Sequence, residues 1–371
     1  MSNNNMKFIL VISKLSNNMR QMKIKQNYHY ISLQAMLEKG YDCELITHRF
    51  FKKDPYLTNQ QLKLDDRITR KYFKSTFSYL NYLRKQKNAI IFANSRVPKS
   101  FLSCFFGKTT FFMSHKSDLP YKLWQKLVLK FFLKRFDYIK VSNPHEKQTL
   151  IKFGIKKKKI EVIPLVIDFQ HFSKKLSLRE KTLFKSSYSI SPQKKVILQF
   201  SNLRDFKNPK TILLAIKELS KIRSDFVLLI VGKDLMHESG NKSINQMVKE
   251  LEIENFVVQV GPVSHNDAPK YFQVSDLFVN SSFSEGQCIT VYEAVAGGLP
   301  LCLSSIGSFT SVFNDSVLFH HSTDYKKLAQ NMHKYLSNTS LMKDHQKKNY
   351  RILDNYSYGV VKEKLQHFFI K

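Results

Sequence analysis

Residues 275–300 form the most informative stretch of the chain and read SDLFVNSSFSEGQCITVYEAVAGGLP. The apolar run 277–280 predicts a buried strand, 281–287 a polar loop, and 289–297 a helix that ends at a pair of glycines. In open α/β sheets, ligands bind outside the carboxyl ends of the strands, where a helix N-terminus offers free N–H groups to a phosphate. The stretch therefore predicts a ligand site of this kind.

Two carboxylates belong to this predicted site. Glu285 lies in the loop, and Glu293 lies about one turn into the helix. Carboxylates placed in this way could bind hydroxyl groups at opposite ends of a sugar nucleotide. An ordinary loop glutamate and an ordinary helix-surface glutamate would show the same spacing, so the spacing alone leaves both interpretations open.

An alternation of strands and helices extends along most of the chain and predicts the α/β class. The first half reads as strand 7–13, helix 28–38 and strand 42–47, with further strands predicted downstream. The pattern breaks near 155–168 and restarts at 195–200, which indicates a second α/β unit of similar size. The length of 371 residues fits two domains.

Composition excludes several classes of protein. Hydrophobic residues make up 43% of the chain and charged residues 24%, which argues against a disordered protein. The 11 glycines exclude a collagen-like chain. The four scattered cysteines form no Cys-x-x-Cys pair, which argues against a zinc site or a disulfide framework.

The first apolar run, 8–12, is too short for an export signal, so we expect a cytoplasmic protein.

Positive charge is concentrated in the first half of the chain. Residues 1–165 carry 33 Lys and Arg against 10 Asp and Glu, whereas residues 166–371 carry 27 against 19. The first half is therefore expected to meet something anionic. A nucleic-acid-binding protein would also explain a net charge of +31, although no recognisable binding module is present and the 275–307 pattern would remain unexplained.

Residues 121–136 combine lysines and apolar residues at helical spacing. Lysines recur at every fourth position from 122 to 134, and Trp124, Leu127, Val128 and Phe131 form the opposing row. Such a basic amphipathic helix can lie on anionic lipid headgroups. Alternatively, the apolar row packs into the N-terminal core and leaves the lysines in solvent.

The stretch and its neighbours resemble the retaining GT-B glycosyltransferases of family 4, whose C-terminal domain carries a Glu-x7-Glu signature. Further similar segments are 162–172 (an interdomain signature), 201–208 (a phosphate-binding segment) and 260–263 (a base-binding turn). The resemblance implies two Rossmann-like doubly wound domains facing across a cleft. These would be an acceptor-binding domain at 1–165, a nucleotide-sugar-binding domain at 166–357, and a final helix, 358–371, crossing back to the first domain.

The resemblance also implies a role for each matching residue. Glu285 would contact the donor sugar, Glu293 the ribose, and Arg204 and Lys207 the departing diphosphate, with a solvated loop pair as the alternative for the last two. His115 would reach the donor sugar, although a lone histidine is more often structural. The remaining donor-binding candidates are Gly286, Gln287, Cys288, Ile289, Thr290 and Val263.

The chain departs from the family pattern in places. A Gly-rich turn is replaced by 13–18, so only a weak acceptor or donor role falls on Asn17 and Asn18. We interpret Cys288 as a small buried hydrophobe rather than a reactive thiol. The expected co-substrate is a UDP- or GDP-sugar, with no cofactor and no metal, because no Asp-x-Asp motif is evident.

The favoured hypothesis is a retaining glycosyltransferase that acts on a cell-envelope glycan or lipid-linked acceptor, as in lipopolysaccharide, capsule or exopolysaccharide synthesis. It would be peripheral on the inner face of the cytoplasmic membrane, attached to an anionic lipid surface, and would bind no nucleic acid. Another GT-B enzyme, such as a nucleotide-sugar epimerase, is the second hypothesis, and the basic nucleic-acid-binding protein is the third.

Overall fold

The computed structural model describes residues 6–12, 28–47, 64–73, 75–94, 101–113 and 122–371. The chain forms two compact units, one within 1–166 and 355–371 and the other within 167–354. The boundaries expected from the sequence, 165/166 and 357/358, lie one and three residues from the divisions between these units.

The first unit contains a parallel sheet. Its described strands are β1 (Lys7–Ile12), β2 (Asp42–Thr47), β3 (Thr69–Tyr72), β4 (Ala89–Asn94), β5 (Thr109–Met113), β6 (Tyr138–Val141) and β7 (Ile160–Val162). They pair in the order β3-β2-β1-β4-β5-β6-β7, with Lys7 opposite Asp42 on one side and Ala89 on the other. The order in which successive strands are added to this sheet therefore reverses at the boundary between β1 and β4.

The second unit contains another parallel sheet. Its strands are β8 (Lys195–Phe200), β9 (Phe226–Val231), β10 (Val257–Gly261), β11 (Leu277–Asn280), β12 (Leu301–Ser304) and β13 (Leu318–His320). Their order is β10-β9-β8-β11-β12-β13, so the order reverses between β8 and β11. These two sheets confirm the predicted α/β class with two Rossmann-like units.

Helices cover both sheets. They are α1 (Tyr28–Leu37), α2 (Thr76–Arg84), α3 (Leu123–Arg135), α4 (Pro144–Lys152), α5 (Phe169–Phe172), α6 (Leu178–Ser187), α7 (Pro209–Ser220), α8 (Ile244–Glu250), α9 (Ala268–Val274), α10 (Ile289–Ala296), α11 (Gly307–Phe313), α12 (Tyr325–Ser337), α13 (Thr339–Ile352) and α14 (Tyr358–Ile370). Of these, α1 to α4 and α14 belong to the first unit.

Buried apolar strands form the centre of both hydrophobic cores. Strand β9 is buried over its whole length, as expected for a parallel strand covered on both faces. In the first unit, α14 packs beside α1 and completes the core. The ring of Phe369 lies 4.9 Å from the rings of Phe8 and Phe92.

Helix α3 packs on the first unit through a side other than the apolar row at 124, 127, 128 and 131. Leu133 is buried, and Leu129 and Phe132 pack half-buried against the same cluster. The predicted apolar row at 124, 127, 128 and 131 is exposed instead. The interpretation in which this row packs into the core is therefore wrong. Among the described residues, no helix is both long enough and apolar enough to cross a bilayer.

Phe369→Ala is expected to lower the free energy of unfolding of the first unit by about 3–5 kcal/mol, because it removes a fully buried ring between two strands. Ile370→Ala is the control, since that side chain is 50% exposed and its loss should cost less than about 0.5 kcal/mol. Denaturant unfolding measures both. Equal losses in the two variants would contradict this position of α14.

Candidate active site

The loops after β8 and β11 meet at the point where the strand order of the second sheet reverses. In open α/β sheets, this crevice beyond the carboxyl ends of the strands is where ligands bind. Lys207 from the first loop donates to Oε1 of Glu285 from the second, with Nζ and Oε1 2.6 Å apart. The backbone N–H of Phe283 donates to the carbonyl of Phe206, 2.8 Å away. The two loops therefore form one connected site.

The loop that carries Lys207 is held by close backbone packing. Leu203 exchanges backbone hydrogen bonds with the segment after β9. A Cβ on Gly232 would lie 2.1 Å from the carbonyl oxygen of Ser201, and the φ of Gly232 is +132°. Only glycine fits this position without displacing the loop. Asn208, in the left-handed region, donates from its side chain to Thr211 and to the carbonyl of Ser322.

The loop that carries Glu285 is fixed by serine hydroxyls. Ser282 donates from its hydroxyl to Oε1 of Glu285, 2.7 Å away, and from its backbone N–H to Asn280. The carbonyl of Ser282 accepts hydrogen bonds from the hydroxyls of Ser304 and Ser322, at 2.8 and 3.1 Å. Ser282 therefore orients the carboxylate directly, and the serines at the end of β12 and just after β13 hold Ser282 in place.

The Lys207–Glu285 ion pair is largely shielded from water. The exposed fractions of the two side chains are 15% and 8%. Burial lowers the pKa of Lys207, but nearby Cys288 and Glu285 more than offset it, so the pKa lies above its ordinary value. Lys207 is thus a fixed cation. Burial raises the pKa of Cys288 to about 11, which keeps the thiol neutral and supports its interpretation as a small buried residue.

Glu293 lies on α10 and is buried, with 8% of its surface exposed. It is therefore not an ordinary helix-surface glutamate. Burial raises its pKa to about 8, and no described residue supplies a hydrogen bond or charge that would lower it. A buried carboxyl group without a partner is costly, so this group is suited to accept hydrogen bonds from a ligand.

Helix α10 begins at this site. Its N-cap residue, Cys288, forms no capping hydrogen bond through its side chain, and the first turn carries no acidic residue. The positive end of the helix dipole therefore faces the site beside Ile289 and Thr290, as anion binding requires. Gly286 and Gln287 lead directly into this turn.

The side chains of Arg204 and Val263 have neighbours other than the ion pair. The Arg204 guanidinium bonds to Glu238 at 2.9 Å, and each side chain is nearly half exposed. Val263 lines an open cavity of about 480 Å³ whose wall includes Tyr188 and Tyr271. Their hydroxyl groups lie 2.7 Å apart.

His115, Asn17 and Asn18 lie outside the described residues, and their predicted roles stay predictions. In the part of the chain that the structure describes, no group of three or more His, Cys, Asp or Glu side chains could hold a metal ion.

Several supporting residues were not predicted from the sequence. His320 bonds to the hydroxyl of Ser281 at 3.0 Å, and burial lowers the pKa of His320 to about 4, so it stays neutral. The others are Asn208, Asn280, Ser304 and Ser322. Ser304 and His320 end short apolar strands, and a polar residue at that position is the signal that could have identified them.

Two family models match the chain. The model of glycosyl transferases group 1 matches residues 180–352, and the model of glycosyltransferase family 4 matches residues 28–171. The first match contains the ion pair, Glu293 and α10.

Curated relatives match part of the chain at about one quarter identity. The chain is 26% identical over 178 residues to the alpha-monoglucosyldiacylglycerol synthase of Streptococcus pneumoniae, covering 47% of this chain and 39% of the relative. It is 25% identical over 134 residues to the lipopolysaccharide core biosynthesis mannosyltransferase LpsB of Rhizobium meliloti, covering 36% and 38%. The matched region therefore spans about two fifths of the length of each of these relatives.

Solved structures share the fold over nearly the whole chain. The Anabaena protein Alr3699/HepE, crystallised with UDP, has a TM-score of 0.77 and 14% identity, covering 97% of this chain and 98% of that one. A glycosyltransferase from Rickettsia africae has a TM-score of 0.78 and 17% identity, covering 98% of each chain. At such identities the likeness establishes the fold alone.

The free energy of unfolding of the second unit should fall as the pH rises between about 4.5 and 8 because of Glu293. In this window the folded state keeps a proton that the unfolded chain releases, so stability is lost by up to about 1.4 kcal/mol per pH unit. Glu293→Gln should remove this contribution, and Glu218→Gln, at an exposed ion pair, should not. Hydrogen exchange of β11 amides across the window measures it. Parallel pH profiles for wild type and Glu293→Gln would contradict the raised pKa.

Proposed function

The chain belongs to the group 1 glycosyl transferases, with a GT-B fold of the family 4 type, and we propose that it transfers a sugar from a nucleotide-sugar donor to a glycan or glycolipid acceptor. The observation that carries this proposal is the buried Lys207–Glu285 pair beside the start of α10, together with the carboxyl group of Glu293, for which the described residues supply no partner. Together they offer a fixed cation, free N–H groups and two acceptors for hydroxyls.

The diphosphate of the donor is proposed to lie at the N-terminus of α10, against Lys207. When the bond to the sugar breaks, negative charge grows on the departing diphosphate, and a preorganised cation stabilises this charge more than the ground state. Arg204 would supply a second cation after leaving Glu238. Since that pair is exposed, the exchange should cost no more than about 1 kcal/mol.

The two carboxyl groups are proposed to bind the sugar parts of the donor. Glu285 is oriented by Ser282 and Lys207, so its Oε2 is the oxygen with capacity left for a hydroxyl of the transferred sugar. Glu293 would accept hydrogen bonds from the ribose. These bonds would favour its ionised form and so compensate for its burial.

The nucleobase is proposed to occupy the cavity beside Val263. Tyr188 and Tyr271 contribute aromatic rings to the wall of this cavity, and Asp267 and Lys270 contribute polar groups. Anabaena HepE has been crystallised with UDP and with UDP-glucose, which supports a UDP-sugar, with a GDP-sugar as the other candidate. We propose a metal-free reaction, with these cations carrying the charge of the diphosphate.

The acceptor is proposed to be a cell-envelope glycan or glycolipid, as in lipopolysaccharide or capsule synthesis. Support comes from the names of relatives, which include a diacylglycerol glycoside synthase and a lipopolysaccharide mannosyltransferase, and from the basic first unit. The four cysteines are free and buried, as in proteins of a reducing compartment. We therefore propose that transfer takes place in the cytoplasm, at the inner face of the membrane.

Glu285→Gln should remain folded at reduced stability, because the buried Lys207 loses its opposite charge, and should lose about 10²–10³-fold in kcat/KM for transfer. The amide oxygen of glutamine can still accept from Lys207 and Ser282, so the loop stays in place while the charge that orients the sugar is lost. Glu218→Gln, at the exposed ion pair with Lys221, is the control and should be unchanged. Release of nucleoside diphosphate measures turnover. Normal turnover of folded Glu285→Gln would overturn the role of Glu285.

Proton NMR of the same reaction mixtures tests the stereochemistry. We expect the first product to keep the anomeric configuration of the donor. An inverted product would contradict retention while leaving the transferase proposal intact.

A further inference from the structure

Helix α3 has an apolar face that the described part of the first unit leaves exposed. This face begins at Leu123 and Trp124, which are 72% and 60% exposed. It continues through Leu127, Val128 and Phe131, at 59%, 48% and 52%. Large apolar side chains placed together on a soluble protein mark a surface that binds something.

The opposite side of α3 fixes the helix on the unit. Leu133 is buried, and Phe132 packs against the ring of Phe101 with ring centroids 5.6 Å apart. The apolar face therefore points outward because the other side is already packed. Phe105, 43% exposed, extends the face, with its ring centroid 6.4 Å from that of Phe131.

Positive charge lies on the same helix and at its C-terminal end. The helix and its N-cap contain no acidic residue and carry five cations, at positions 122, 126, 130, 134 and 135. A lysine turn lies at the C-terminal end of the helix, because Lys159 donates to the carbonyls of Lys134 and Phe136 at 2.9 and 2.8 Å. The neighbouring lysines 156–158 are exposed. The occupant of the face should therefore be both apolar and anionic.

We propose that this α3 surface, formed by residues 122–135 with Phe105 and lysines 156–158, docks the first unit on a bilayer of anionic lipids. The helix would lie in the plane of the interface, with its leucines and aromatic rings among the acyl chains and its lysines at the headgroups. A nucleic acid would leave the leucine and valine side chains without an apolar partner, so lipid matches the chemistry better.

This inference deepens the proposed location at the membrane and rests on the proposed function for that context. It is tested without donor or acceptor, so vesicle binding can fail while transfer activity stands, and transfer can fail while vesicle binding stands.

Trp124 makes a direct experiment possible because it is the chain's single tryptophan and lies in the α3 surface. The full chain is titrated with vesicles of pure phosphatidylcholine and with vesicles of mixed phosphatidylglycerol and phosphatidylcholine. We expect the Trp124 emission to shift to shorter wavelength with the mixed vesicles. We also expect partitioning about tenfold or more stronger than to the neutral ones, and weakened by salt.

Matched variants distinguish binding through the α3 surface from non-specific binding of the protein to vesicles. Leu127→Glu with Phe131→Glu should abolish the shift, whereas Leu178→Glu with Leu183→Glu, at positions on α6 that are at least as exposed, should leave it unchanged. Lys122→Gln, Lys126→Gln and Lys134→Gln together should weaken binding about tenfold or more. Lys326→Gln, Lys343→Gln and Lys347→Gln, which remove the same charge from the second unit, should weaken it far less.

Three results would overturn the proposal. The first is no shift and no partitioning with anionic vesicles, or equal binding to neutral ones. The second is a shift that appears without lipid as protein concentration rises, together with a dimer in sedimentation, which would make a second copy the occupant. The third is a shift with RNA or DNA but not with vesicles, which would assign the surface to nucleic acid.

Discussion

The ion pair between Lys207 and Glu285 is the interaction on which the site depends. Its partners are 78 residues apart in sequence and meet because β8 and β11 are neighbours in the sheet. Removing one partner would leave the other charge buried without compensation, at a cost of about 3–5 kcal/mol. The pair therefore connects the two loops and sets the position of each charge that a donor would meet.

The site contains a second carboxyl group in the opposite electrostatic situation. Glu285 is matched by a cation, whereas Glu293 is buried with no partner in the described part of the chain, and burial raises its pKa to about 8. Their surroundings therefore suit the two carboxyl groups, eight residues apart, to different tasks. Glu285 is held as a charged group, whereas Glu293 is suited to accept hydrogen bonds from a ligand. The neutral Cys288 lies between them in the chain and adds no charge.

Much of the architecture could be predicted because apolar strands such as β9 and β11 carry a local signal. Strands β3 and β13 could not, since one is polar and the other has three residues, and both lie at sheet edges. The orientation of α3 also could not be predicted, because apolar residues occupy both of its sides. Glu285, Glu293 and Lys207 were found through a motif, whereas Asn208 and His320 act through neighbours distant in sequence.

We propose that the crevice at the reversal of strand order in the second sheet binds a nucleotide-sugar. The most direct test is a thermal-shift panel of UDP-, GDP-, ADP- and CMP-sugars on the wild type and on Glu293→Ala. We expect one donor class to stabilise the wild type and Glu293→Ala to lose most of this shift in melting temperature. Stabilisation of the folded wild type by none of these donors would contradict the claim.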